Sequence, residues 1–133
     1  MRRITSIIGI LTVMLLLNYN DGLTQQLGDK VYWMSTTEIP VDKLTEYHAL
    51  NEKELRPLME KHGYKQVATW QTILGNIEEV IFVAEFENMA AYHKARRSLL
   101  GSEEWKTVSK KFGELSRHIK TKFLSATPYS KLK

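Results

Sequence analysis

The chain contains no cysteine. That excludes a disulfide framework, a zinc–thiolate site and a cysteine nucleophile. A lipid attached through a thiol is excluded as well. Histidine is scarce, at four residues, and no two stand four apart. The spacing that puts two metal ligands on one helix face is therefore missing, and no metal is expected. No apolar run reaches the about 20 residues that a membrane-spanning helix needs. No recognisable nucleic-acid-binding motif is present, so no nucleic-acid partner is expected. Internal repeats and low-complexity segments are missing too.

The N-terminus is informative. Arg2 and Arg3 precede an apolar run from Ile4 to Leu17, broken only by Thr5, Ser6, Gly9 and Thr12. A basic start followed by an apolar stretch of this length is the layout of a secretory signal peptide. Residues 1–24 are read as that signal, with cleavage expected near Thr24–Gln25 and a short linker over 25–30. The expected location is exported, periplasmic or secreted; an uncleaved membrane anchor is the alternative. An exported domain without disulfides must be held by its hydrophobic core alone.

The formal net charge is +4. Its excess lies at the C-terminal end, in Lys106, Lys110, Lys111, Arg117, Lys120, Lys122, Lys131 and Lys133, with Glu114 the single acid among them. A solvated helix face with a basic tail explains this. Contact with an anionic membrane surface is the functional alternative.

Apolar alternation predicts a first strand over 31–39, closed by Pro40. Residues at three- and four-residue steps, from Leu44 through Tyr47, His48 and Asn51 to Leu58, predict a helix over 41–62. Pro57 falls inside it and should distort the turn at 51–54. Gly63 should end it. Strands follow over 64–73 and 78–86, with a tight hairpin expected at Gly75-Asn76. The second of these is apolar on both faces, so its outer face needs a cover, most simply a second subunit. Helices capped by Asn88 and Ser102 come next, the first burying Met89, Tyr92, Arg96 and Leu99, the second Trp105, Val108, Phe112 and Leu115. A strand over 119–126 completes the order βαββαβ, an α+β architecture.

This order resembles the NIPSNAP family, within the dimeric α/β-barrel superfamily, over residues 31–130. The resemblance rests on Leu58-Met59-Glu60-Lys61-His62-Gly63-Tyr64, on Trp70…Leu74-Gly75-Asn76…Glu79-Val80, on Arg96…Leu99-Leu100…Glu104-Trp105, and on Phe123-Leu124…Pro128-Tyr129-Ser130. It implies a ferredoxin-like protomer that pairs face to face into a homodimeric barrel. One departure stands out. Family members start the first strand with Tyr-x-x-Arg-x-Tyr; here Tyr32 is kept, while Ser35 and Thr37 replace the other two. The superfamily includes cofactor-free monooxygenases and haem-degrading enzymes. The haem-ligand histidine position holds Ser109, the first-strand asparagine position falls at Met34 or Ser35, and the third-strand tryptophan position falls at Glu85 or Phe86. These departures argue against haem degradation, and no cofactor is expected.

No catalytic constellation stands out. His48 is the candidate general base, with a hydrogen-bonded core histidine as the alternative. Tyr47, Trp70 and Arg96 are the candidate ligand-binding residues. Trp70 is expected on a pocket floor or in the core. Arg96 is expected on a buried helix face, paired with Glu85 or with an anionic ligand. The leading reading is a non-catalytic module that binds a small apolar or anionic ligand or another protein. The alternative is a cofactor-independent monooxygenase-like enzyme with an apolar pocket between sheet and helices.

Overall fold

The computed structural model describes residues 30–132. The predicted signal segment and linker therefore lie outside the described residues, save Lys30. The chain divides into two compact units. The described part of one, residues 125–132, carries the last residue of the final strand and a turn closed by Ser130 N–H donating to Thr127 O at 2.9 Å. The other, residues 29–124, carries the sheet and helices.

Strands β1 (Val31–Glu38), β2 (Lys65–Gln71), β3 (Glu79–Phe86) and β4 (His118–Ser125) form one sheet in the order β2-β3-β1-β4. β3 runs antiparallel to both β1 and β2. Helices α1 (residues 44–61), α2 (Met89–Leu100) and α3 (Glu103–Leu115) connect them, which gives a ferredoxin-like α+β fold. The side chains of Val80, Phe82, Ala84 and Phe86 on β3 pack against the helices. Leu55, Leu58 and Met59 of α1 meet Tyr92, Ala95 and Leu99 of α2 and Val108 of α3 in the main core. A second cluster joins Ile39, Tyr47, Leu50, Val80 and Leu115.

Pro57 has the expected effect in a specific form. Residues Asn51–Leu55 are a π-helical segment inside α1. The Arg56 N–H donates to Asn51 O, a five-residue step. Proline cannot supply the α-helical donor at 57, and widening the turn before it relieves the crowding its ring would cause. Gly63 then ends the helix at φ +97°, a conformation that costs a side-chain-bearing residue about 1–2 kcal/mol. Tyr64 N–H closes the turn onto Met59 O at 3.0 Å.

Three expectations need correction. The β2–β3 connection is a seven-residue loop over 72–78 rather than a tight hairpin, although Gly75 does take a positive φ. On α2 the buried residues are Tyr92, Ala95 and Leu99, while Arg96 and Met89 are exposed. Strand β2 carries a bulge between Gln66 and Ala68. One extra residue reverses the alternation beyond it. Gln66 pairs with inward-facing Ala84, but Ala68 pairs with Val83 and Trp70 with Ile81, both on the opposite face. Trp70 is consequently 55% exposed on the sheet's outer side.

Candidate functional site

A cavity of about 70 Å³ lies between the inner face of the sheet and the helices. β1 contributes Trp33, Ser35 and Thr37, which alternation places on one face. α1 contributes Tyr47, Asn51, Leu55 and Met59, at the four-residue steps that define one helix stripe. Phe82 of β3 and Trp105 and Phe112 of α3 close the apolar walls, and Ile119 of β4 completes them. The π-helical segment begins at Asn51, so the distortion set by Pro57 fixes two wall residues, Asn51 and Leu55.

The cavity carries polar atoms on one patch. Tyr47, Thr37 and Asn51 bring their polar ends to it. Burial pushes the Tyr47 phenol up, against the lowering effect of the Thr37 and Asn51 side chains. The phenol therefore holds its proton through the physiological range. Ser35, 4% exposed, adds a further hydroxyl on the same strand face. Trp33 packs edge-on to Phe82 and Tyr64, with ring centroids 6.1 and 5.6 Å apart, which fixes the opposite wall.

Of the four residues singled out by sequence, Tyr47 alone lies on this cavity. His48 is the next residue along α1 and lies off the lining, its Nε2–H donating to Gln71 Oε1 at 2.9 Å. Arg96 is on the exposed side of α2, where its charge reaches Tyr64, a phenol that burial pushes up to about 12. Glu85, the expected partner of Arg96, is bound otherwise. Lys65 Nζ donates to it at 2.8 Å, with Lys30 Nζ and the Tyr32 hydroxyl each at 3.3 Å. That cluster lies on the outer face of the sheet, as the Tyr32–Glu85 and Lys65–Glu85 pairings require. The Lys65 hydrogen bond, ahead of the opposing effect of burial, holds the Glu85 carboxyl below its ordinary value.

The small polar residues, noted in the sequence only as departures from the family pattern, were not expected on a cavity wall. Ser35 and Thr37 share the inward face of β1 with Trp33, and that alternation was the available signal. Trp105, expected as core, is a partly buried wall of the cavity. Among the described residues no cluster of His, Asp or Glu could hold a metal ion, and no helix is long and apolar enough to cross a membrane.

Comparison with solved structures identifies the fold. A NIPSNAP family protein of unknown function from Agrobacterium tumefaciens str. C58 superposes with a TM-score of 0.74 at 18% identity, over 78% of this chain and 94% of that one. An uncharacterized NIPSNAP-like domain protein from Burkholderia xenovorans gives 0.72 at 16% identity, over 77% and 89%. SnoaB, a cofactor-independent oxygenase from Streptomyces nogalater, gives 0.57 at 10% identity, over 80% and 100%. Curated proteins give no match. The NIPSNAP family model aligns with residues 32–131, from the second residue of β1 to the C-terminal tail, and on that match the chain belongs to the NIPSNAP family.

Proposed function

We propose that this NIPSNAP-family domain is a non-catalytic small-molecule-binding module whose ligand occupies the cavity between sheet and helices. The observation that carries the reading is the lining itself, apolar walls with one hydrogen-bonding patch and no acid or base. This is the composition of a recognition site, where few polar groups orient a ligand that apolar walls retain. At about 70 Å³ the cavity is smaller than the usual range for drug-sized ligands, so the ligand is small or the walls move to admit it.

The working form is a homodimer through the outer sheet face, in an exported protein. Trp70 and Ile81 meet on that face, beside Val83 and Met34, and the helices pack on the other side. Of these side chains Trp70 is exposed, Ile81 and Met34 are half-buried and Val83 is buried; the exposed part is what a partner sheet would cover. The signal-like segment over residues 1–24 motivates export. Native mass spectrometry of protein matured by an exporting host tests both proposals. A dimer beginning near Gln25 and carrying a small adduct is the expected result. A monomer, or a chain retaining residues 1–24, would refute the corresponding part.

The enzymatic alternative draws on the likeness to a cofactor-independent oxygenase and on the apolar cavity. It lacks a base at the right place, since His48 bonds Gln71 outside the lining. Oxygen uptake that His48→Ala abolishes, with the fold kept, would favour that alternative.

A further inference from the structure

The exposed face of α2 differs in charge from those of α1 and α3, which mix both signs. From Asn88 to Ser102 the chain carries no acid, while Lys94, Arg96 and Arg97 all lie on the exposed side of the helix. Part of the positive excess that the sequence places near the C-terminus is neutralised where it stands. Lys106 pairs with Glu103 at 2.6 Å, Lys111 with Glu54 at 2.7 Å and Arg117 with Glu78 at 2.7 Å. Glu104, the other acid that follows α2, is held by Lys61 at 2.8 Å. Glu87, just ahead of the helix, acts on the charge of Lys65. Among the described residues Lys94, Arg96 and Arg97 make no ion pair.

Helical spacing sorts this face into two neighbouring stripes. Met89, His93, Arg96 and Leu100 form one, and Ala90, Lys94 and Arg97 form the other; all are exposed. The first stripe has an aliphatic side chain at each end, with Met89 38% and Leu100 42% exposed. The core takes none of them, since Tyr92, Ala95 and Leu99 supply the buried side of the helix. Like charges at the Lys94–Arg97 spacing weaken a helix slightly. An outside anion would relieve that repulsion.

The mixture of groups selects the anion. A soluble polyanion would satisfy the cations and leave Met89 and Leu100 in water. An anionic lipid surface satisfies both, with headgroups on the cations and the acyl boundary around the aliphatic ends. The long Lys and Arg stems let the charges stay at headgroup level while the helix lies against the surface.

We infer that α2 is a docking helix that lies on an anionic membrane surface. The inference is independent of the cavity reading, because α2 contributes no lining residue. It is compatible with the dimer, because α2 packs on the side of the sheet opposite the face assigned to the partner. Each cation near such a surface is worth about fivefold in affinity, so the three together are worth about a hundredfold.

The test uses protein matured by an exporting host and vesicles of phosphatidylcholine, with or without phosphatidylglycerol. Co-sedimentation is expected with the anionic vesicles and not with the neutral ones, and it should weaken steeply as salt is raised. Lys94→Gln/Arg96→Gln/Arg97→Gln should weaken binding about a hundredfold. Lys110→Gln/Lys120→Gln/Lys122→Gln removes the same charge from other elements and should weaken it less than about fivefold. Met89→Ser/Leu100→Ser should weaken vesicle binding and leave binding to heparin, a soluble polyanion, unchanged. A spin-labelled lipid headgroup gives a readout that needs no variant: it should broaden the amide signals of residues 89–100 more than those of 118–124. Failure to bind anionic vesicles at low salt, or equal binding to neutral ones, overturns the inference. Equal loss in the two triple variants would assign binding to net charge and overturn the place of α2. Vesicle binding that Met89→Ser/Leu100→Ser leaves intact would make the face a general polyanion site and overturn the lipid assignment. Broadening centred on 118–124 would overturn the choice of helix.

Discussion

Ser35→Val is the most instructive perturbation of this fold. Ser35 is buried in a central strand and borders a cavity of about 70 Å³. Unfilled core volume costs about 24 cal/mol per Å³, which ties about 1.7 kcal/mol to this space. Valine replaces the hydroxyl by a methyl and adds a second one. At about 0.8 kcal/mol for each buried carbon group, the gain is about 1.6 kcal/mol. The two routes agree, and a β-branched residue suits the strand. For a domain near 100 residues this corresponds to a rise in Tm of about 6–12 °C. The expected outcome is a more stable protein with less room in the cavity for a small apolar probe such as cyclopentane. Urea unfolding with a parallel probe titration measures both. A loss of more than about 1 kcal/mol would mean overpacking, and so no usable space. A stabilised variant with unchanged probe affinity would place the probe's site elsewhere.

Further predictions concern the supports of the site. Pro57→Ala restores a backbone donor, so the π-helical segment should tighten to α-helix, with stability rising by up to about 3 kcal/mol and the affinity for the same apolar probe falling as Asn51 and Leu55 rotate; backbone shifts over residues 47–57 report the change. Gly63→Ala should cost about 1–2 kcal/mol in urea unfolding, since the added Cβ has room at 3.5 Å from Ala95 Cβ and the penalty is conformational. The Glu85 carboxyl is held below its ordinary value chiefly by the Lys65 hydrogen bond. A depressed carboxylate stabilises the fold above the unfolded-state pKa and loses that contribution as pH falls through the folded one. Glu85→Gln should therefore lower the urea midpoint at pH 7, and its difference from wild type should shrink progressively below pH 4.5. A difference that is constant from pH 7 to pH 2 would refute the linkage.

The element order was legible because each segment announces its period and its ends. Asn88 and Ser102 cap the helices that follow them, accepting from Ala91 N–H at 2.9 Å and Trp105 N–H at 3.2 Å. Pro57 announced a distortion, though not that it would be π-helical. The site was less legible. Simple alternation from Tyr64 puts Trp70 inside, and a bulge at residues 66–68, which no residue type there demands, sends it out. On α2, a step from Tyr92 to Arg96 and one from Tyr92 to Ala95 both fit a helical stripe; the sheet selects the smaller side chain, and Arg96 faces solvent. Ser35 and Thr37 stood out as departures from the family's first-strand pattern but not as cavity residues, because a hydroxyl lining a cavity and one facing water read alike in sequence. With the family established, both first-strand departures fall on the cavity wall.

A crystal of the protein pressurised with xenon tests the central claim most directly, since xenon enters dry apolar cavities. The account predicts a xenon site bounded by Trp33, Leu55, Phe82 and Trp105, and its loss in Ser35→Val. Xenon binding elsewhere, with side chains filling the space between the sheet and α1, would contradict it.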